Sequence, residues 1–181
     1  MLDTKQYLDT IGSLASGVTV ITTEANGHPH GMTATAVTSL SLSPMLIAVS
    51  VSKKAKLAEF LKPGVPFSVN ILREEQANIS NHFAGAIKTH ERAAEIRFVA
   101  WDGGSRLDDC LAALGCEVAE IHEGGDHWMV IGRVLHLYQG HEPRQPLLYF
   151  RGRYGRLEAG GALAPERGDF DQGTPQIFYD W

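Results

Sequence analysis

The sequence Ala15-Ser-Gly-Val-Thr-Val-Ile-Thr-Thr23, followed after a short turn by Gly31-Met-Thr-Ala-Thr-Ala-Val-Thr-Ser39, predicts a β-hairpin. The turn contains Asn26-Gly27, the strongest short hairpin signal. The second strand, predicted from about Gly31 to Leu40, carries small hydroxyl side chains where a core strand carries large apolar ones. Such a strand suits a flat ligand with polar edges lying against the sheet. A Thr-rich, half-exposed edge strand fits this segment equally well.

The rest of the chain continues as short strands in hairpin order. A helix capped by Asp3 and ended by Gly17 precedes the hairpin, and the further predicted helices cover Ala55 to Leu61 and Arg73 to Phe83. A surface loop is predicted from Gly85 to about Ile96. The further predicted strands are Met45 to Val51, Phe67 to Leu72, Leu114 to His122, His127 to Leu137 and Pro146 to Phe150. This order predicts a mainly β fold, a closed antiparallel barrel with peripheral helices.

Composition excludes several classes of protein. The chain has 181 residues and a net charge of −5, typical of one globular domain and unlike a duplex nucleic-acid binder. No apolar run is long enough to span a membrane and no signal peptide is recognised, so a cytoplasmic protein is predicted. The basic cluster Lys53-Lys54-Ala55-Lys56 suits one phosphate or pyrophosphate, or is a solvated helix start.

Cysteine and histidine patterns give no metal site. Cys110 and Cys116 lie six residues apart and are predicted to be free, mostly buried thiols. His28 and His30 flank Pro29 in a turn, which is a weak metal signal, and no His-Glu-x-x-His pattern occurs. The glycine motifs of Rossmann folds and P-loops are also absent, so a dinucleotide would have to be bound by another fold.

Seven sequence blocks together resemble the flavin reductase domain family, the small NAD(P)H:flavin oxidoreductases that supply reduced flavin to two-component monooxygenases. The blocks occur in the family's order over roughly residues 8 to 155 and are Ala15-Ser-Gly-Val-Thr-Val-Ile-Thr-Thr23, Gly31-Met-Thr-Ala34, Ser39-Leu-Ser-Leu-Ser-Pro44, Phe67-Ser-Val-Asn-Ile-Leu72, His82-Phe-Ala-Gly85, Gly124-Gly-Asp-His127 and Leu147-Leu-Tyr-Phe-Arg-Gly-Arg-Tyr154. The resemblance implies an antiparallel Greek-key split β-barrel, the FMN-binding split barrel, which forms a homodimer with flavin near the subunit interface. We expect this domain to cover residues 1–155.

The tail, residues 156–181, is glycine- and proline-rich and ends in Ile177-Phe-Tyr-Asp-Trp181. We expect its terminal aromatic residues to pack on the barrel or on the dimer partner. The alternatives are that they cap the flavin or dock a monooxygenase.

The resemblance also implies which residues bind FMN or FAD. The matching positions are Met32, Thr33, Ala34 and Thr35 for the isoalloxazine ring, Ser50, Val51, Ser52, Lys53 and Lys56 for the phosphate, and Phe83 and Gly85 near the ribityl chain and phosphate. Phe83 fits a core residue equally well. Asn70 also matches a family position, but a buried Asn that bonds a neighbouring turn explains it equally well. Ala55 and Leu57 stand where the family commonly has hydroxyl residues, so either the flavin is held loosely or Lys53, Lys56, Ser52 and backbone amides compensate.

The nicotinamide nucleotide, NADH or NADPH, is implied to contact His127, Arg151 and Tyr154, with Arg151 or Arg153 meeting the pyrophosphate. A histidine that opens a strand is also commonly structural. Hydride transfer between two stacked rings depends on positioning, so no catalytic acid or base is predicted.

Three functions fit these residues. The first is an NAD(P)H:flavin oxidoreductase that supplies reduced flavin to a partner monooxygenase. The second is a reductase that passes electrons through bound flavin to a corrin or ferric complex. The third is a non-catalytic flavin-binding protein, which His127 and Tyr154 disfavour.

Overall fold

The computed structural model describes residues 2–85, 96–101, 104–140 and 144–157. Within them lie two α-helices, α1 Thr4–Ile11 and α2 Ala77–Phe83, and two 3-10 helices, Lys56–Glu59 and Glu74–Gln76. The strands are β1 Ser16–Gly17, β2 Thr19–Ala25, β3 His28–Ala34, β4 Val37–Leu42, β5 Met45–Ser52, β6 Pro66–Ile71, β7 Phe98–Trp101, β8 Gly104–Leu107, β9 Ala112–Gly124, β10 His127–Gln139, β11 Leu148–Phe150 and β12 Arg153–Gly155. The tail from residue 158 and most of the predicted surface loop lie outside the described residues.

Seven strands form one antiparallel sheet in the order β3-β2-β6-β9-β10-β5-β4. Its two edge strands, β3 and β4, are consecutive in the chain and are joined by residues 35 and 36 alone. The Ser50 N–H donates to the Ala36 carbonyl over 3.0 Å, which extends the β4–β5 pairing up to this link. The sheet is therefore rolled, and the predicted antiparallel barrel with peripheral helices is confirmed.

Apolar side chains from β2, β5, β6, β9 and β10 fill the interior of this barrel. Ile21, Val49, Phe67 and Val130 are almost completely buried there. A second cluster, which includes Val18, Leu72, Leu107 and Leu147, packs beneath α2 and the β7–β8 hairpin. Asn70, buried between the two layers, bonds the Val20 carbonyl, the Thr22 hydroxyl and the Leu107 N–H, so its role is structural.

Several predicted boundaries were wrong for local reasons. The first helix begins after Asp3 as predicted but ends at Ile11, because Gly12 caps it and Gly17 belongs to β1. The predicted strand from Gly31 to Leu40 is two strands, because the barrel closes at residues 35 and 36. The sheet β7–β8 was not predicted at all.

The predicted helices also differ from those observed. Ala55 to Leu61 forms only a four-residue 3-10 helix, Lys56–Glu59, because Leu57 turns inward to the core. Arg73 to Phe83 is a short 3-10 turn followed by α2. None of the helices in the described residues is long and apolar enough to cross a membrane.

Both cysteines are free and buried, as the sequence predicts. Burial raises the pKa of the Cys116 thiol to about 12. Burial also raises the pKa of Cys110, although the neighbouring Arg106 opposes this effect. Since the thiolate is the reactive form, both thiols are packing groups in the folded chain.

Candidate functional site

Strand β3 presents backbone donors at the free edge of the sheet. Asn26 and Gly27, with φ of 55° and 73°, form a two-residue turn, so the flanking residues Ala25 and His28 exchange hydrogen bonds. The pattern alternates along the strand, and the N–H groups of Gly31 and Thr33 therefore point away from β2. Pro29, which has no N–H, occupies a position of the same kind.

Ser80 on α2 joins two of the predicted site residues. The Thr33 hydroxyl donates to the Ser80 carbonyl over 2.6 Å. The Tyr154 hydroxyl lies 2.9 Å from both the Ser80 hydroxyl and the Asn81 side-chain oxygen. Ser80 is completely buried, so α2 fixes β3 and β12 relative to each other.

The closure of the barrel at residues 35 and 36 brings the residues predicted to bind the flavin phosphate close to the end of β3. Ala34 is buried against the core, while Thr35 and Ala36 are exposed, and Ala36 accepts the hydrogen bond from Ser50. Ser50 and Ser52 are half-buried, whereas Val51 is fully buried and offers only its backbone. The Ser52 hydroxyl accepts from the Lys54 N–H over 3.3 Å, which orders the start of the lysine cluster.

The β9–β10 turn places His127 beside this cluster. His127 pairs with Ser52 across the sheet, and the Lys53 N–H donates to the Asp126 carbonyl over 3.0 Å. The His127 Nδ1 lies 2.7 Å from an Asp126 carboxylate oxygen, and 42% of the His127 side chain is exposed. The hydrogen bond from His127, together with its charge, lowers the pKa of Asp126. The imidazole is therefore held in one orientation at the surface.

Lys53 is engaged by the same turn. Its ammonium pairs with the Glu123 carboxylate and lies 4.5 Å from the centre of the Trp128 ring. The hydrogen bond and charge of Lys53 lower the pKa of Glu123. Lys56 is exposed in its 3-10 helix, and the following Leu57 is 2% exposed, so Leu57 is a core residue.

These contacts link a set of neighbouring exposed and buried residues, which we call the site rim. It consists of Tyr154, Ser80, Thr33, residues 34–36, Ser50, Ser52 and His127. Small side chains and outward N–H groups lie along β3, and hydroxyls and ammonium groups lie at the end of β5. Such a rim can hold a planar ring along β3 and an anion beside the lysines.

Four further predicted residues are not part of the site rim. Phe83 packs on β3, where a Cβ added at Gly31 would lie 2.8 Å from its ring, and it also meets Phe98 edge to face. Gly85 follows the end of α2 with a φ of 70°. Arg151 lies in the β11–β12 turn, where its N–H donates to the Gly12 carbonyl over 2.8 Å. Met32 packs against the barrel core.

Sequence reasoning missed four residues of the site. Ser80 and Trp128 carry no local signal, because their importance depends on which strands and helices meet. Glu123 and Asp126 flank the predicted glycine turn, and their charges opposite a lysine cluster were a signal that could have been used.

Within the described ranges, no group of three or more His, Cys, Asp or Glu side chains is placed to hold a metal ion. His30, one of the two histidines that flank Pro29, packs against Phe60 with ring centres 4.4 Å apart.

Comparison with known proteins gives consistent matches over most of the chain. The family model described as the flavin reductase like domain matches residues 11–158. The NADH-dependent flavin reductase of a Rhodococcus species is 38% identical over 158 residues, covering 86% of this chain and 87% of the relative. The reductase component of the 4-hydroxyphenylacetate 3-monooxygenase of Thermus thermophilus is 40% identical over 151 residues, covering 83% of this chain and 95% of the relative.

A solved structure agrees with the sequence matches. The flavin reductase PheA2 in its native state superposes with a TM-score of 0.80 at 37% identity, covering 87% of this chain and all of that one. Since fold, order of motifs and extent of similarity coincide, the resemblance predicted from the sequence is confirmed, and the chain belongs to the flavin reductase like domain family.

Proposed function

We propose that the protein is an NAD(P)H-dependent flavin reductase that supplies reduced flavin to a partner monooxygenase. Family membership and two relatives support this proposal, one named as an NADH-dependent flavin reductase and the other as a monooxygenase reductase component. The observation that carries it is the site rim, which places His127 across from Ser52 and beside the lysine cluster. A nucleotide and a flavin can thus meet at one edge of the barrel.

The residues of the site rim fit a flavin. The outward N–H group of Thr33, with that of Gly31 beside the rim, matches the polar pyrimidine edge of an isoalloxazine, and the half-buried Ser50 and Ser52 match a phosphate. Bound flavin would supply the hydride acceptor. The chain's own residues would hold the ring along β3 and the phosphate near Lys53, while leaving the outer ring face open.

His127 and Tyr154 are proposed to position the nicotinamide nucleotide. The carboxylate of Asp126 fixes the His127 ring, and Ser80 with Asn81 fixes the Tyr154 hydroxyl. Hydride transfer requires stacking at near-contact distance, so fixed neighbours matter more than an acid or base. Arg151 is proposed to contribute charge from the β11–β12 turn. The proposal covers FMN and FAD as the flavin, and NADH and NADPH as the hydride donor.

The direct test is anaerobic oxidation of NADH and of NADPH with FMN, FAD and riboflavin in turn. We expect one free flavin to be reduced for each nicotinamide nucleotide oxidised. Each protein chain should turn over many times. Reduction of no more than one flavin per chain would contradict an exchanging flavin and favour onward transfer through a bound one. No nicotinamide oxidation with any flavin would contradict the enzyme itself.

We also propose that two copies of the chain form a homodimer. Leu40, Leu42, Met45, Leu135 and Leu137 are exposed near one end of the seven-stranded sheet, and Leu137 is 71% exposed. A group of exposed large apolar side chains is typical of an interface between subunits. We expect light scattering at micromolar concentration to give twice the chain mass of 19.7 kDa. A monomer, with or without FMN, would contradict this proposal.

The departures at Ala55 and Leu57 give a separate prediction. Ala55 is half-buried at the N-cap of the 3-10 helix, so Ala55→Ser is expected to tighten FMN about threefold by adding one donor. Leu57→Thr is expected to lower the free energy of unfolding by about 2–4 kcal/mol, because it empties part of the core. Fluorescence titration and urea unfolding measure the two effects. Unchanged FMN affinity in Ala55→Ser would show that the phosphate is held elsewhere.

A further inference from the structure

The lysine cluster carries three ammonium groups, but the β9–β10 turn opposes them with two carboxylates. Glu123 pairs with Lys53, and Asp126 lies close enough for Lys54 to help lower its pKa. Lys53, Lys54 and Lys56 together with Glu123 and Asp126 leave a formal charge of +1, since three positive charges meet two negative ones. A phosphate dianion would meet a site already largely neutralised.

Lys53 is held at both ends by the same hairpin. Its N–H donates to the Asp126 carbonyl over 3.0 Å, and its ammonium contacts Glu123 and the face of Trp128. The side chain of Lys53 is 29% exposed, whereas that of Glu123 is 70% exposed. The ammonium therefore lies along β9 and β10, and it must leave Glu123, or share it, to bind an anion beside Ser52.

We propose that Glu123 weakens the binding of the flavin phosphate by competing for the Lys53 ammonium. The inference rests on the proposed function and deepens it by naming a residue that sets how readily the flavin leaves. Competition of this kind acts on phosphate-bearing flavins and spares riboflavin, which has no phosphate. The competition also speeds dissociation of the flavin, because Glu123 lies next to Lys53 and can pair with its ammonium again.

The experiment compares Glu123→Gln with wild type in fluorescence titrations of FMN and riboflavin at low salt. We expect FMN to bind about three- to tenfold tighter to Glu123→Gln, and riboflavin to bind within about twofold of wild type, since an exposed ion pair has a modest effect. Glu120→Gln is the matched control, because Glu120 lies on the same strand, is 66% exposed, and pairs with His122 rather than with a lysine. It should change neither affinity.

A second pair of variants tests whether Glu123→Gln changes FMN affinity through Lys53. In Lys53→Met, the substitution Glu123→Gln should no longer tighten FMN. Persistence of the full effect there, equal or weaker FMN binding in Glu123→Gln, or equal tightening of riboflavin would each overturn the proposal. Reduction of riboflavin by NADH in the wild type reports on the proposed function independently, because that reaction involves no flavin phosphate.

Discussion

Replacing His127 with alanine is expected to lower kcat/KM for the nicotinamide nucleotide by about tenfold or more, which corresponds to about 1.4 kcal/mol of transition-state positioning. The flavin dissociation constant should stay within about twofold. The reason is geometric: Asp126 fixes the half-exposed His127 ring at the start of β10, where it is proposed to orient the nicotinamide. Steady-state rates and a flavin titration on the same variant measure both quantities.

His122→Ala is the matched control for this experiment. His122 lies on β9 and pairs with a carboxylate in the same way, 2.8 Å from Glu120, but it is not part of the site rim. It should leave the kinetics unchanged. Chemical reduction of the bound flavin by dithionite should be equal in all three proteins. Unchanged kinetics in His127→Ala would make His127 a structural residue and shift the nucleotide site toward Tyr154.

Gly132→Ala is expected to destabilise the fold by about 1–3 kcal/mol, because an added methyl overpacks the barrel core. A Cβ at this position would lie 2.5 Å from Cζ of Phe67 and 3.3 Å from the Cβ of Cys116. The Phe67 ring is fully buried in a close-packed core, so moving it aside displaces its neighbours. Urea unfolding monitored by fluorescence measures the loss.

Gly17→Ala is the control, since nothing lies within 4 Å of a Cβ built there. Its free energy of unfolding should equal or slightly exceed that of wild type. In the double variant Gly132→Ala with Phe67→Leu, the smaller side chain makes room, so the combined loss should be less than the sum of the two single losses. Full additivity would contradict the proposed collision.

Local chemistry made much of the fold predictable. Asn26-Gly27 specifies its turn by backbone conformation, and the strands around it follow from their side chains. The break at residues 35 and 36 could not be read locally, because it depends on β4 joining the opposite edge of the sheet. The 3-10 helix after Ala55 was likewise unpredictable, since the burial of Leu57 decides it.

The site was predictable to the extent that it follows single segments. Thr33, Ser50, Ser52 and His127 come together on the site rim, although they belong to three separate segments of the sequence. The partners that position them were not predictable, because the contacts of Ser80 and Glu123 are set by tertiary packing. The choice of candidate residues thus followed from motifs, whereas the contacts that hold them in place required the fold.

The closure of the barrel at residues 35 and 36 has a consequence for partial unfolding. These two residues join the edge strands β3 and β4, and the hydrogen bond from Ser50 to Ala36 extends the β4–β5 pairing up to this link. Any fluctuation that parts these edges also separates Thr33 from Ser52, while the long β9–β10 hairpin can persist. Destabilised variants should therefore lose ligand affinity at a lower temperature than that at which they unfold. Ligand affinity is then a more sensitive measure of destabilisation than the unfolding temperature.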